Sequence, residues 1–521
     1  MLPRLVLMAL SLVAVTVTIA LAEDKPVRPD VPPRITIAKD ITRITSPLRK
    51  DGYPDYVGAL EAALREGMTP ENNFTVELLA VVGPSEINED VRDEYFRRLG
   101  SPVLPAEGDY YESFFDYLVR KADDVEDRQA LSETFYTAQD RPWTAEQSPV
   151  VARWLDEQKK HLDRIVVASR RPRYYSPLVT NADDEVGMLI SVMLPTISEV
   201  RELARALAVR AMLRAGKGDL DGAWEDVMAC FRLGRLSSQG ATLIDSLVGI
   251  AVDNLAWKGV VALAHSDRIT AAQLMRFRAD LAALPAPSPM VDKIDRGERY
   301  MFLDSICTLQ RVGPNALSEL TGADGEDRRL AELSRQATNA LIDWDEVLRI
   351  GNHFYDRMVD AVRKDDAEAY DRLQTDVERI MRSAKTGLLG APLLALGGPS
   401  GKKLVSRHMG GLLLALFMPA LGTARAAEQR DAAQMQLADV ALALAAYRID
   451  HRGYPDALDA LVPNHIAKVL DPFADAALRY RRTDGGYVLY SVGPDARDDR
   501  GSTREDDHPT DDITVRSPVA D

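Results

Sequence analysis

The stretch from Arg425 to Val515 constrains this 521-residue chain more than any other. Ala433, Leu437, Val440, Leu444 and Tyr447 recur at spacings of three and four, which draws one apolar stripe along a helix over Glu428 to Tyr447. Asp450-His451-Arg452-Gly453-Tyr454-Pro455 ends that helix, because glycine readily terminates a helix and proline cannot continue one. Asp456 to Leu461 makes a short further turn, and Asp471-Pro472-Phe473 opens a loop. Leu478 to Arg482 and Tyr487 to Val492 then flank Thr483-Asp484-Gly485-Gly486, a hairpin signal in which glycine supplies the positive φ such turns require. An acidic loop follows and closes on Asp511-Asp512-Ile513-Thr514-Val515.

That order of parts resembles the C-terminal body of the G-type major pseudopilin of type II secretion. The residues that carry the likeness are Ala446-Tyr447-Arg448, Gly453-Tyr454-Pro455, Leu458 with Leu461, Asp471-Pro472-Phe473, Tyr480-Arg481, the run from Gly486 to Asp495, and Asp512-Ile513. The likeness names a module of residues 425–515 and leaves the rest of the chain to be read from its residues. It implies a calcium ion in the loop after the last strands, held by the Val492 carbonyl, Asp495 and Asp512, with Asp511 or the Thr510 carbonyl as further ligands. Calcium takes six to eight oxygens, and clustered carboxylates repel one another unless a cation sits between them. The loop is not an EF-hand, since Arg497 stands third and Gly501 seventh from Asp495. The alternative is a solvated acidic tail, against which Ile513 and Val515 suggest a docked end.

A pseudopilin carries its membrane helix at its own N-terminus, with a glutamate early in it. Here Met409 to Leu421 stands in that place, deep in the chain, with no glutamate after Met409-Gly410-Gly411 and too few residues to span a bilayer. It reads as a buried helix joining two halves of the protein, membrane contact being the alternative. Near residue 1, Arg4, the apolar run Leu5 to Ile19 and Ala20-Leu21-Ala22 read as a secretory signal cleaved after Ala22. Its alternative is an uncleaved anchor through residues 5–19. The expected location is periplasmic or extracellular. The balance of 64 basic against 80 acidic residues, a net charge of −16, argues against a nucleic-acid partner. A protein or cell-envelope partner is expected instead.

Between these ends the sequence predicts a mainly α protein, a helical body of α-hairpins followed by the small α+β module. A Pro-rich tether at 23–52, with an edge strand over Ile35 to Thr45, precedes a helical domain at 53–285. A second helical segment covers 290–386, a Gly/Pro linker with the short apolar helix covers 387–424, and a tail covers 516–521. Thr69-Pro70-Glu71-Asn72 is read as a helix start, Asp219 as the N-cap of a helix over Leu220 to Leu236, and Thr242 to Ala264 as a buried core helix. Tyr110, Tyr111, Phe114, Phe115 and Tyr117 are read as core. Cys230 and Cys307 read as buried small hydrophobes, with one disulfide as the alternative.

Catalytic patterns are sparse. The seven histidines form no HExxH and no helical metal pair, and no Gly-x-Ser-x-Gly elbow occurs. Two constellations stand out: Asp343, Asp345, Glu346 and His353 along one helix, and Arg170-Arg171-Pro172-Arg173-Tyr174-Tyr175, suited to a sugar, a phosphate or an acidic peptide. Both are more simply read as paired or solvated side chains. The favoured expectation is an exported, non-catalytic binding or structural protein with a calcium-stabilised module. The alternative is an exported hydrolase with its site in the helical body. Converging polar groups in a cleft would favour the second, mutually paired charges the first.

Overall fold

The protein is mainly helical, with a small three-stranded antiparallel sheet near its C-terminus. The computed structural model describes residues 34–121, 127–180, 188–192, 194–313, 339–364, 366–387, 399–462, 465–466, 470–474, 476–503 and 510–517. The expected signal segment and the start of the tether lie outside these, as does most of the 516–521 tail.

The first layer comprises α1 (Tyr56–Arg65), α2 (Phe74–Val82), α3 (Glu89–Leu99), α4 (Phe114–Arg120), α5 (Arg128–Thr137), α6 (Pro149–Glu157) and α7 (Lys159–Ala168). Asn73, Asn88, Ser113 and Asp127 cap α2 to α5, each accepting an N–H from the first turn. Phe114 and Tyr117 of the aromatic run are core, Tyr111 and Phe115 pack against it half-buried, and Tyr110 and Tyr111 precede the helix rather than share its face. Phe114 stacks on Phe135 with centroids 4.7 Å apart, and Trp154 stands edge-on to both.

The centre is α8 (Pro195–Gly216), α9 (Leu220–Ser237) and α10 (Leu243–Ala264), followed by α11 (Ala271–Ala282). Asp219 caps α9 by accepting the Gly222 N–H at 2.9 Å, and Thr242 with Asp245 makes a reciprocal capping box on α10. The chain then passes from Met290–Asp292 through a π turn, Lys293–Glu298, into α12 (Arg299–Val312). The last helices are α13 (Trp344–Arg363), α14 (Ala367–Gly387) and α15 (Pro399–His451).

Residues 388–398 of the expected linker lie outside the described residues. From Pro399 onward, the short apolar helix expected over Met409 to Leu421 is part of one 53-residue helix that runs on into the C-terminal module. Pro399 opens it at the position where a missing N–H costs least. Packing sustains the remainder: Met409, Leu413 and Leu414 share a core with α12 and α13, while Leu437 to Ala445 share another with α10. Tertiary burial outweighs local breaker residues over such a length. The stretch from Ile35 to Thr45 is likewise no strand. Ile35 and Ile41 are buried in the α12–α13 core, and the chain turns between them where Thr42 N–H bonds the Ala38 carbonyl at 2.7 Å.

Among the described residues α10 alone has the length and apolar composition to cross a membrane. Here it is a core helix, packed against α8, α9 and α15. The sheet consists of β1 (Arg479–Arg482), β2 (Tyr487–Ser491) and β3 (Ile513–Ser517), with β2 central. Arg482 pairs with Tyr487 across the expected hairpin, and Ser491 pairs with Ile513. Tyr487, Leu489 and Val515 face the same core as α10 and the second half of α15.

Candidate functional site

The register Ser491↔Ile513 sets the geometry of the proposed calcium loop, because it lays Val492-Gly493 beside Asp511-Asp512. Gly493 has φ +68°, and a Cβ there would collide with the Asp511 carbonyl, so only glycine permits this approach. Asp471 fastens the turn from the other side. Its carboxylate accepts the Ser491 hydroxyl at 2.7 Å, the Val492 N–H at 2.9 Å and the Phe473 N–H at 3.0 Å.

The four expected ligands are not equally placed. Asp512 is buried, with Oδ2 accepting the Gly501 N–H at 2.8 Å and Oδ1 buried with no hydrogen-bond partner among the described residues. Burial raises its carboxyl pKa, against the Gly501 and Asp499 amides and with help from the charges of Asp499 and Asp498. An orphan carboxylate oxygen among other carboxylates is a position that a cation would relieve. Val492 and Asp511 lie beside it through the strand register. Asp495 is exposed and turned onto its own loop, where Oδ1 accepts the Arg497 N–H at 2.9 Å. Asp498 accepts the Tyr490 hydroxyl at 2.9 Å. Among the described residues, no three histidine, cysteine or acidic side chains are gathered closely enough to hold a metal. Of the four expected ligands, Asp512 thus offers a buried carboxylate oxygen with no partner among the described residues, while Asp495 is engaged on its own loop.

In the helical body most side chains of the two constellations are already engaged. Asp343 caps α13 through the Glu346 N–H, Asp345 accepts the Thr36 N–H at 2.9 Å, and Glu346 pairs with Arg407 at 2.8 Å. His353 and Glu346 border a groove of about 530 Å³ between α13, α14 and α15, whose floor includes Phe354, Leu373 and Leu414. In the arginine-tyrosine segment, Arg171 bonds the Pro70 and Asn73 carbonyls and Glu77. Arg173 bonds the Glu66 carbonyl, and the Tyr174 and Tyr175 hydroxyls meet Thr196 and Glu61 at 2.7 Å each. These side chains lock α1, α2 and α8 together.

One cluster of buried charge carries no plain signal in the sequence. Lys293, in the π turn, donates to the Gly240 carbonyl, and burial lowers its pKa. Nearby Asp245 and Glu298 accept the Thr242 and Leu243 N–H groups at the start of α10, with pKa values raised chiefly by burial. These are helix-terminus partners. Only the Thr242-x-x-Asp245 spacing announced any of them.

No protein-family profile, no characterised protein and no solved structure gives a significant match to this chain. The pseudopilin likeness thus rests on the ordered residues themselves.

Proposed function

We propose that this chain is an exported, non-catalytic binding or structural protein, whose helical body carries a pseudopilin-like, calcium-stabilised module toward a protein or cell-envelope partner. The observation that carries this reading is the engagement of the polar groups best suited to catalysis. Asp343, Asp345 and Glu346 are each held by a cap, an amide or an arginine. Buried ion pairs such as Arg210–Asp226 satisfy one another rather than converging on a cleft. The module is built onto the body rather than strung from it. Trp257 Nε1 donates to Asp431 at 3.0 Å, Arg278 Nε to Asp439 at 3.1 Å, and Arg448 to the Ser266 carbonyl at 3.0 Å. Those bonds suit a rigid platform that presents one surface.

The test is thermal unfolding of residues 23–521 in EDTA and in millimolar calcium, repeated with Asp512→Ala and with Asp495→Ala. A calcium-dependent rise in Tm that Asp512→Ala abolishes is the expected result. Because Asp495 faces outward, its replacement should weaken the response less. Absence of any shift in the wild-type protein would remove calcium from the reading and leave a charged loop.

A further inference from the structure

The arginines of the Arg170–Tyr175 segment have two fates. Arg171 and Arg173 are fixed as described, whereas Arg170 borders a separate cleft of about 290 Å³. Four arginines line this cleft, Arg170, Arg171, Arg232 and Arg235, against the single carboxylate of Asp280. Three helices end here: α7 at Ala168, α9 at Ser237 and α11 at Ala282.

Helix C-termini present unpaired carbonyls and attract cations, so the plain explanation for arginines at this place is capping. Arg235 fits it, donating from Nε to the Pro285 carbonyl at 3.0 Å while pairing with Asp253. Asp280 is also taken, accepting the Trp224 indole N–H at 2.8 Å. Arg232 does not fit it. Its side chain is half-buried, and it makes no hydrogen bond or ion pair with any described residue. Burial, then the charge of Arg170, hold its pKa below the usual guanidinium value. Arg170 itself reaches only the exposed Glu225, at 3.7 Å. A partly desolvated guanidinium without a partner is unfavourable unless something comes to meet it. The unpartnered Arg232 fork, with Arg170 held only by its long contact to Glu225, offers more donors than a carboxylate accepts, and the two suit the oxygens of a tetrahedral oxyanion.

We propose that this cleft binds a small phosphate, either inorganic phosphate or the phosphoryl group of a small monoester, held by Arg232 and Arg170. The site is locally basic in a chain of net charge −16, so binding depends on these two contacts rather than on the protein's overall field. The proposal depends on neither calcium nor export.

The experiment is thermal unfolding of the full chain titrated with sodium phosphate and with glycerol phosphate, against sodium chloride at equal ionic strength. A saturable rise in Tm with at least one phosphate probe and none with chloride is expected. The response of the two probes relative to each other tells free phosphate from a monoester. Arg232→Gln and Arg170→Gln should each shift the midpoint to at least tenfold higher concentration. Arg232 has no partner to lose, so Arg232→Gln should keep the wild-type Tm in chloride. A phosphate response no greater than chloride's, midpoints unchanged in both variants, or an Arg232→Gln protein destabilised in chloride would each overturn the proposal.

Discussion

His265 Nε2 and the Tyr487 hydroxyl meet at 2.8 Å, joining the end of α10 to the start of β2 and so the helical body to the sheet. Burial, then the nearby Arg448 charge, depress the imidazole pKa to about 4, and its Nδ1 is buried without a partner among the described residues. In the unfolded chain the same group titrates near its ordinary value of about 6.5. Between those values the unfolded state takes up a proton that the folded state refuses. Stability is therefore fully present above about pH 6.5 and falls as the pH drops toward about 4. The ceiling of the effect is about 3 kcal/mol. We expect Tm measured from pH 7.5 to 4 to fall more steeply for the wild type than for His265→Gln. Parallel curves would show that this contact does not govern the acid response.

Helices α9 and α10 cross where Gly234 faces Gly249. A Cβ on Gly249 would lie 2.7 Å from the Gly234 carbonyl oxygen, and one on Gly234 would lie 2.8 Å from that of Gly249. Both neighbours are backbone, so the helices themselves must part to admit a side chain. Gly249→Val should cost about 1–3 kcal/mol by overpacking, read as a lowered urea midpoint. A surface change such as Glu225→Ala should stay within about 0.5 kcal/mol.

Local signals survived folding where one residue determines a local bond. Asp219 caps α9 as its position before Leu220 predicts, and in the stripe Ala433, Leu437, Val440 and Leu444 are buried while Tyr447 at its end is half-buried. Signals failed where distant packing decided the outcome. Thr69-Pro70-Glu71-Asn72 forms a turn, with Thr69 N–H on Asn72 Oδ1, and α2 starts only at Phe74 with Asn73 as its cap. Asn73 is chosen because its side chain also bonds the Tyr175 carbonyl and N–H, a hundred residues away in sequence and unreadable locally. The same holds for α15, where the apolar run Met409 to Leu421 reads as a short helix until α10, α13 and α14 are packed along a much longer one. At the loop, the Asp-Pro-Phe motif was visible as punctuation, but Asp471's grip on Ser491 and Val492 required the tertiary fold.

Cys230 and Cys307 are both free and buried, and they sit in different cores, so no disulfide joins them. Cys230 Sγ donates to the Ala204 carbonyl at 3.3 Å, and burial pushes both thiol pKa values well up. Thiolate is the reactive form. We expect a colorimetric disulfide reagent to label neither thiol in the native protein and both in denaturant. Rapid labelling of either one without denaturant would mean that its core opens readily.

Asp226, wholly buried on α9, is held by Arg210 through Nε at 3.0 Å and Nη2 at 2.6 Å, and by Arg214 at 2.9 Å. Arg210 continues the network to Asp163 at 2.7 Å. Removing one member of a buried pair strands the opposite charge, so Asp226→Ala should cost about 3–5 kcal/mol. Replacing the pair together, as Arg210→Met with Asp226→Leu, removes both desolvation penalties and should recover most of that loss. Urea unfolding of the single and double variants closes the cycle. A large single loss with recovery in the double variant would establish the network as a structural clamp between α8 and α9. If Asp226→Ala unfolded at the wild-type urea concentration, the buried carboxylate would contribute nothing to stability. It would then need another reason to lie there, and the hydrolase alternative would regain ground in the helical body.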